Sequence, residues 1–103
     1  MGTPRETPKF LAQKLVSIRR RIDGGLSQEE LVKRLGLERS IDRTYISKYE
    51  TGVIEPPLRV LLRYAELAGV HLEVIADDDL ELSDKLPCVP KSRGIKRRKT
   101  VKN

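Results

Sequence analysis

Along the first half of the chain the apolar residues return at helical spacing. Leu11, Leu15, Ile18 and Ile22 recur at i, i+4, i+7 and i+11, which is one stripe on a helix. Thr7 and Pro8 offer an N-cap and a proline at the first helical position, and Gly24-Gly25 offers a stop. Arg19, Arg20 and Arg21 fall in the last turns, where cations suit the helix dipole. The run LSQEEL (26–31) opens a second helix. Ser27 and Glu30 have capping-box spacing, Leu26 and Leu31 have staple spacing, and Gly36 comes after Leu31, Val32 and Leu35 as terminator. The device returns once more: Asp42 caps, Ile41 and Ile46 staple, and Gly52 stops a third helix whose inner face is Ile46 and Tyr49. A fourth helix, with Pro57 in its first turn, is predicted to bury Leu58, Leu61, Leu62, Ala65 and Ala68 before Gly69 ends it.

After Gly69 the period changes from 3.6 to 2. VHLEVIA (70–76) sets Val70, Leu72, Val74 and Ala76 against His71, Glu73 and Ile75, and reads as a strand, with a fifth helix or an extended segment as the alternatives. One strand is not stable alone, so the strand reading predicts antiparallel pairing with the same strand of a second copy. The expected organisation is a mainly α domain over residues 8–76, its dimerisation strand at 70–76, an acidic proline-interrupted linker at 77–90, and a basic tail at 91–103 expected to be disordered in isolation.

Composition adds a polyanionic partner. At 103 residues and net charge +6, the chain has room for one small domain plus tails. The charge is uneven: residues 69–90 hold one Lys/Arg against six Asp/Glu, and residues 91–103 hold seven Lys/Arg and no acid. No apolar run approaches the roughly 20 residues of a membrane span. The first ten residues lack the apolar core of a secretory signal, and Cys88 is the sole cysteine, so a cytoplasmic, nucleoid-associated location is expected. His71 has no metal-type neighbours beyond ordinary acids, and Asp77, Asp78 and Asp79 lack the spaced ligands of a calcium loop. No metal and no cofactor are expected. With one His, one Cys and no phosphate-cradling glycine loop, an enzyme is not expected either.

Two short helices joined through a glycine turn, the second with a polar and basic outer face, form a DNA-reading arrangement. A B-DNA major groove about 12 Å wide admits one helix, and Arg pairs bidentately with guanine O6 and N7. Lys reaches the same atoms, while Ser and Thr take donors or acceptors. On the third helix Arg43, Thr44, Ser47 and Lys48 occupy that outer face. Tyr45 either stacks on the sugar-phosphate backbone or covers the core.

From Leu15 to about Val70 the chain resembles the phage-repressor and Cro-type helix-turn-helix family of bacterial and phage regulators. The resemblance is carried by Arg21 four before Gly25, LSQEEL, Leu35-Gly36, the run Ile41 to Ser47, Tyr49-Glu50-x-Gly52 and the proline-led fourth helix. It implies a four-helix, lambda-repressor-like domain that binds double-stranded DNA. It also implies base contacts from Arg43, Thr44, Ser47 and Lys48, and phosphate contacts from Gln28, Thr51 and Gly52, while Ser27 is expected at a phosphate because free N–H groups at the start of the second helix suit one. Arg21 and Glu50 resemble a structural ion pair. Two departures stand out: Val32 replaces a small residue, and Leu37 to Ser40 reads as a four-residue insertion that adds Arg39 as a phosphate contact.

The strand-like ending is similar to that of antitoxin repressors in the family. The expected function is a sequence-specific transcriptional regulator, a repressor, binding a pseudo-palindromic operator as a homodimer. The alternative is an antitoxin whose residues 70–103 bind a toxin protein while the body represses its own operon.

Overall fold

The computed structural model describes residues 8–91. Five helices run in order: α1 Leu11–Arg21, α2 Gln28–Leu35, α3 Arg43–Glu50, α4 Leu58–Ala68 and α5 Leu72–Ala76, with a 3-10 turn at Ile22–Gly24 after α1. Among the described residues there is no strand. α3 packs on α1 and α2, α4 packs on α1 and α2, and α5 lies against α1 and α4. Leu15, Ile18, Leu31, Ile46, Tyr64 and Ile75 are fully enclosed at their meeting point. Each such side chain contributes about 1.5–3 kcal/mol of burial, which is what holds helices this short in shape.

Two of the predicted starts are realised atom for atom. Ser27 Oγ accepts from the Glu30 N–H and Glu30 Oε1 accepts from the Ser27 N–H, at 3.0 and 2.9 Å, so α2 has its capping box. Leu26 and Leu31 are both buried beside it. α2 stops at Gly36, whose φ of 71° is the left-handed conformation glycine adopts without steric cost. The second realised start, the Asp42 cap of α3, belongs to the surface described below.

The start of α1 differs from the expectation. The helix begins at Leu11, and Phe10, not Thr7, holds the N-cap position without a side-chain bond. Thr7 itself lies outside the described residues. The capping oxygens come from far along the chain: Asp78 accepts from the Lys9 N–H at 2.8 Å and from the Phe10 N–H at 3.0 Å.

The buried stripe of α4 is also rotated. Val60, Leu61, Tyr64, Ala65 and Ala68 are inside, while Leu58 is 68% exposed and Leu62 48% exposed. Tyr64 takes the central place that the aliphatic count assigned to Leu62. Its ring fills the core, and its hydroxyl is buried with no hydrogen-bond partner among the described residues.

The predicted strand is a short helix. Residues Leu72–Ala76 form α5, with Ile75 buried and Leu72 and Val74 half-buried against the core. The cause is tertiary. Lys14 sits on the apolar face of α1, only 7% exposed, and its Nζ donates to the carbonyls of Val74 at 2.7 Å and Asp77 at 2.8 Å, with Ile75 at 3.4 Å. An ammonium on the last carbonyls of a helix satisfies acceptors that otherwise lack partners and matches the negative end of its dipole. Lys14 and Asp78 thus clasp the 72–78 segment to α1 at two points, and its backbone is spent on helix and clasp.

Residues 77–90, expected as a linker, carry no helix or strand and return across the body, with Leu82 and Leu86 laid on the core. The Cys88 N–H donates to the Ala68 carbonyl at 3.0 Å. A Cβ on Gly69 would stand 2.7 Å from the backbone of Cys88 and Val89, so only glycine admits this close passage.

The Asp78 clasp makes stability sensitive to acid. Hydrogen bonds from the Phe10 and Lys9 N–H groups hold its carboxyl below its ordinary value of 3.8. A carboxyl depressed in the fold contributes stability that is present above its unfolded value and lost as pH falls through the folded one. Urea unfolding midpoints taken from roughly pH 5 down to roughly pH 2 are therefore expected to fall. For Asp78→Asn, whose single amide oxygen keeps at most one of the two bonds and which has no charge to titrate, the midpoint should start lower and the fall should be shallower. Equal slopes in the two proteins would show that Asp78 does not contribute.

Candidate nucleic-acid interface

α3 is a helix of eight residues that could not persist alone, and its two faces explain how it persists here. At its start Asp42 Oδ1 accepts from the Thr44 N–H at 2.9 Å. On its inner face Ile46 and Tyr49 are buried, with Ile41 packed at the edge. At its end the Thr51 hydroxyl donates to the carbonyls of Ser47 and Lys48 at 2.9 and 3.3 Å. With its interior face fixed by packing, the register of the outer face is set by the helical repeat: positions 43, 44, 47 and 48 point away from the core.

Exposure agrees with that geometry. Arg43, Thr44, Tyr45 and Lys48 are exposed and Ser47 is half-buried. Tyr45 is 44% exposed, its ring 6.4 Å from that of Tyr49 and tilted by 44°, so it reaches outward from an aromatic base. Arg43 occupies the first helical position, where the dipole disfavours a cation, and α3 has no acid in its first turn. α2 does the opposite, with Glu29 and Glu30 in its first turn. At the start of α3 the anion is the Asp42 cap alone, and the first-turn acids of α2 are replaced by Arg43.

The residues expected at the phosphate backbone are spread over three places. Ser27 and Gln28 are at the start of α2, but the Gln28 amide donates to Glu50 Oε1 at 3.2 Å. Thr51 and Gly52 are exposed just after α3, and their N–H groups already donate to Ser47 O and Tyr49 O. Arg39 is exposed on the 36–42 connection between α2 and α3. The extra residues there form a single turn, with the Ile41 N–H donating to the Leu37 carbonyl at 2.9 Å, and the buried Leu37 pins it to the core. Val32, bulkier than the family pattern, is accommodated as a core residue.

Under this surface lies a charged junction that differs from the expected pairing. Glu50 pairs with Arg19, not with Arg21: Arg19 Nε donates to Oε2 at 2.6 Å and Nη2 to Oε1 at 3.0 Å, a two-pronged contact. Arg19 Nη1 also donates to the Leu26 carbonyl at 2.8 Å. One guanidinium therefore joins α1, the start of α2 and the end of α3, and its bond to Glu50 raises its affinity for the proton. The Glu50 side chain is 6% exposed. Arg21 lies on the other flank of α1 and donates to the Ser83 carbonyl and to Ser17 Oγ. Tyr64 stands close enough that burial and then the Glu50 charge push its hydroxyl well above the ordinary tyrosine range.

Lys14, Arg19 and Asp78 are the polar residues that sequence reasoning missed. Lys14 did leave a signal, since it falls between Leu11 and Leu15 on the apolar stripe. For Asp78 there was none, because its partners are nearly seventy residues away.

Among the described residues no group of three or more His, Cys, Asp or Glu is placed to hold a metal ion, and no helix is long and apolar enough to cross a membrane. The outer face of α3 presents two cations, Arg43 and Lys48, with the hydroxyls of Thr44 and Ser47. A family model described as helix-turn-helix matches residues 18–75, from the last turns of α1 through α5. No curated protein and no solved structure matches the chain.

Proposed function

The chain belongs to the helix-turn-helix family, a family of DNA-binding regulatory domains, and from that membership we propose that it is a sequence-specific transcriptional repressor that reads DNA with α3. The carrying observation is the outward face of α3, where Arg43, Thr44, Ser47 and Lys48 stand on a helix locked from behind by Ile46 and Tyr49. In the major groove Arg43 pairs with guanine O6 and N7, Lys48 takes a neighbouring acceptor, and Thr44 and Ser47 take mixed edges. Ser27 and Gln28 meet a phosphate at the start of α2, where free N–H groups and the dipole favour an anion. Arg39 and Tyr45 meet the backbone on either side of α3. Cytoplasmic location beside the nucleoid goes with this role.

The active unit in this reading is a homodimer on a two-fold symmetric operator, with half-sites about 34–36 Å apart. Its interface is not a paired strand, since 72–76 is helical. Leu58 and Leu62, one turn apart on α4 and both exposed, offer an apolar strip to a second copy. Light scattering is expected to give a dimer for the natural chain and a monomer for Leu58→Lys/Leu62→Lys. Operator affinity in that variant should fall by about 100-fold or more as the linked second half-site is lost. A variant that remains dimeric would move the interface elsewhere.

The antitoxin reading assigns residues 70–103 to a toxin protein. Two features weigh against it: the clasp by Lys14 and Asp78, and the seating of Leu82 and Leu86 on the core.

A further inference from the structure

Between α1 and the returning 78–82 segment runs a groove of about 360 Å3. Phe10 and Leu80 form its apolar walls, and Asp78 and Glu81 stand along it. Among the described residues Lys14 is the only cation lining it, and its ammonium is turned into the carbonyls of the clasp. Asp79 lies within that segment and Asp77 and Asp84 flank it, with Asp79 and Asp84 exposed, so the stretch of chain along the groove is acidic.

The last described residue, Lys91, lines a neighbouring cavity together with Glu81 and Ser83. Glu81 is common to both hollows, so the chain leaves the described body beside the groove. Beyond Lys91 the sequence reads SRGIKRRKTVKN, with six Lys/Arg, no acid, and the apolar residues Ile95 and Val101. Ile95 is four residues beyond Lys91, and four extended residues span about 14 Å.

We propose that, in the protein without DNA, residues 92–103 dock on this groove of their own chain. An apolar side chain of the tail enters between Phe10 and Leu80 while the Arg and Lys residues meet Asp79, Glu81 and their acidic neighbours. A tether this short holds the tail at an effective concentration on the order of millimolar, so weak exposed ion pairs suffice to seat it. Where DNA is present the duplex backbone is the stronger polyanion and takes the tail over. That consequence rests on the DNA-binding reading, but the docking does not.

The test uses the full chain without DNA. A nitroxide is placed on Asn103→Cys in a Cys88→Ser background, and the amide signals of the 15N-labelled protein are compared before and after reduction of the label. At low salt the amides of Gln13, Ser17 and Leu80 should lose most of their intensity to the label. They should recover at roughly 1 M salt, where the Debye length is about 3 Å. They should also recover in Asp79→Asn/Glu81→Gln, whose spectrum reports independently whether it is folded. Full intensity at low salt, or broadening that survives high salt, would overturn the proposal. So would broadening that appears when 15N-labelled and nitroxide-labelled chains are separate molecules mixed together, because the tail would then be serving a second copy. Each of these results leaves the role of α3 untouched.

Discussion

Replacing Arg43 by alanine is expected to weaken operator binding by about 1–3 kcal/mol, roughly five- to 150-fold, with the loss concentrated at one base position. The same substitution should leave the fold as stable as before, or more stable by about 0.3–1 kcal/mol. The two signs come from one placement. Arg43 is the first residue of α3, exposed on its outer face, where its charge opposes the helix dipole. Removing it therefore relieves a small local cost while deleting the bidentate base contact proposed for it. Urea unfolding and competition binding on one preparation measure both. A variant that loses stability and affinity in parallel would mark Arg43 as a structural residue.

The largest loss of stability is expected at Arg19. Arg19→Ala leaves the Glu50 carboxylate, 6% exposed, with only the Gln28 amide among the described residues, and leaves the Leu26 carbonyl without its guanidinium donor. Breaking one side of a buried pair costs about 3–5 kcal/mol, and the residual exposure of the Arg19 side chain, 16%, puts the expectation at the lower end, about 3 kcal/mol. Arg21→Ala, which forfeits contacts to Ser83 and Ser17 at the surface, should cost no more than about 1 kcal/mol. The contrast is read from thermal or urea unfolding of the two variants side by side. Because Arg19 fixes the angle between α1 and α3, the surviving folded fraction of Arg19→Ala should also bind DNA less tightly. If Arg21→Ala proves the more damaging, the pairing seen at Glu50 is not the one that matters.

The legible parts of the chain were those written locally. The Ser27/Glu30 box, the Asp42 cap, Gly36 and the buried pair Ile46 and Tyr49 are interactions within four residues of one another, and each was recoverable from spacing. The exposed face of α3 is tied to that pair by helical geometry. What escaped was set by distant partners. Arg19 and Arg21 look alike in a run of three arginines, and only the packing of α1 on α3 decides which one meets Glu50. VHLEVIA carries β-branched residues and apolar positions at period two, yet so short a segment gives propensity too little weight against Lys14 closing the carbonyl end and Ile75 entering the core. On α4 an aliphatic count preferred Leu58 and Leu62 to Val60 and Tyr64, because it gave no weight to an aromatic ring in the core. The same error hid the exposure of Leu58 and Leu62.

Whether α3 reads base edges through its outer face is decided by selecting bound sites from random duplexes, in parallel for the natural chain and for Lys48→Ala. The natural chain should enrich a consensus, and Lys48→Ala should enrich the same consensus with discrimination lost at one base position in each half-site. Failure of the natural chain to enrich any sequence, or an identical consensus from both proteins and from Arg43→Ala as well, would contradict a base-reading role for this helix.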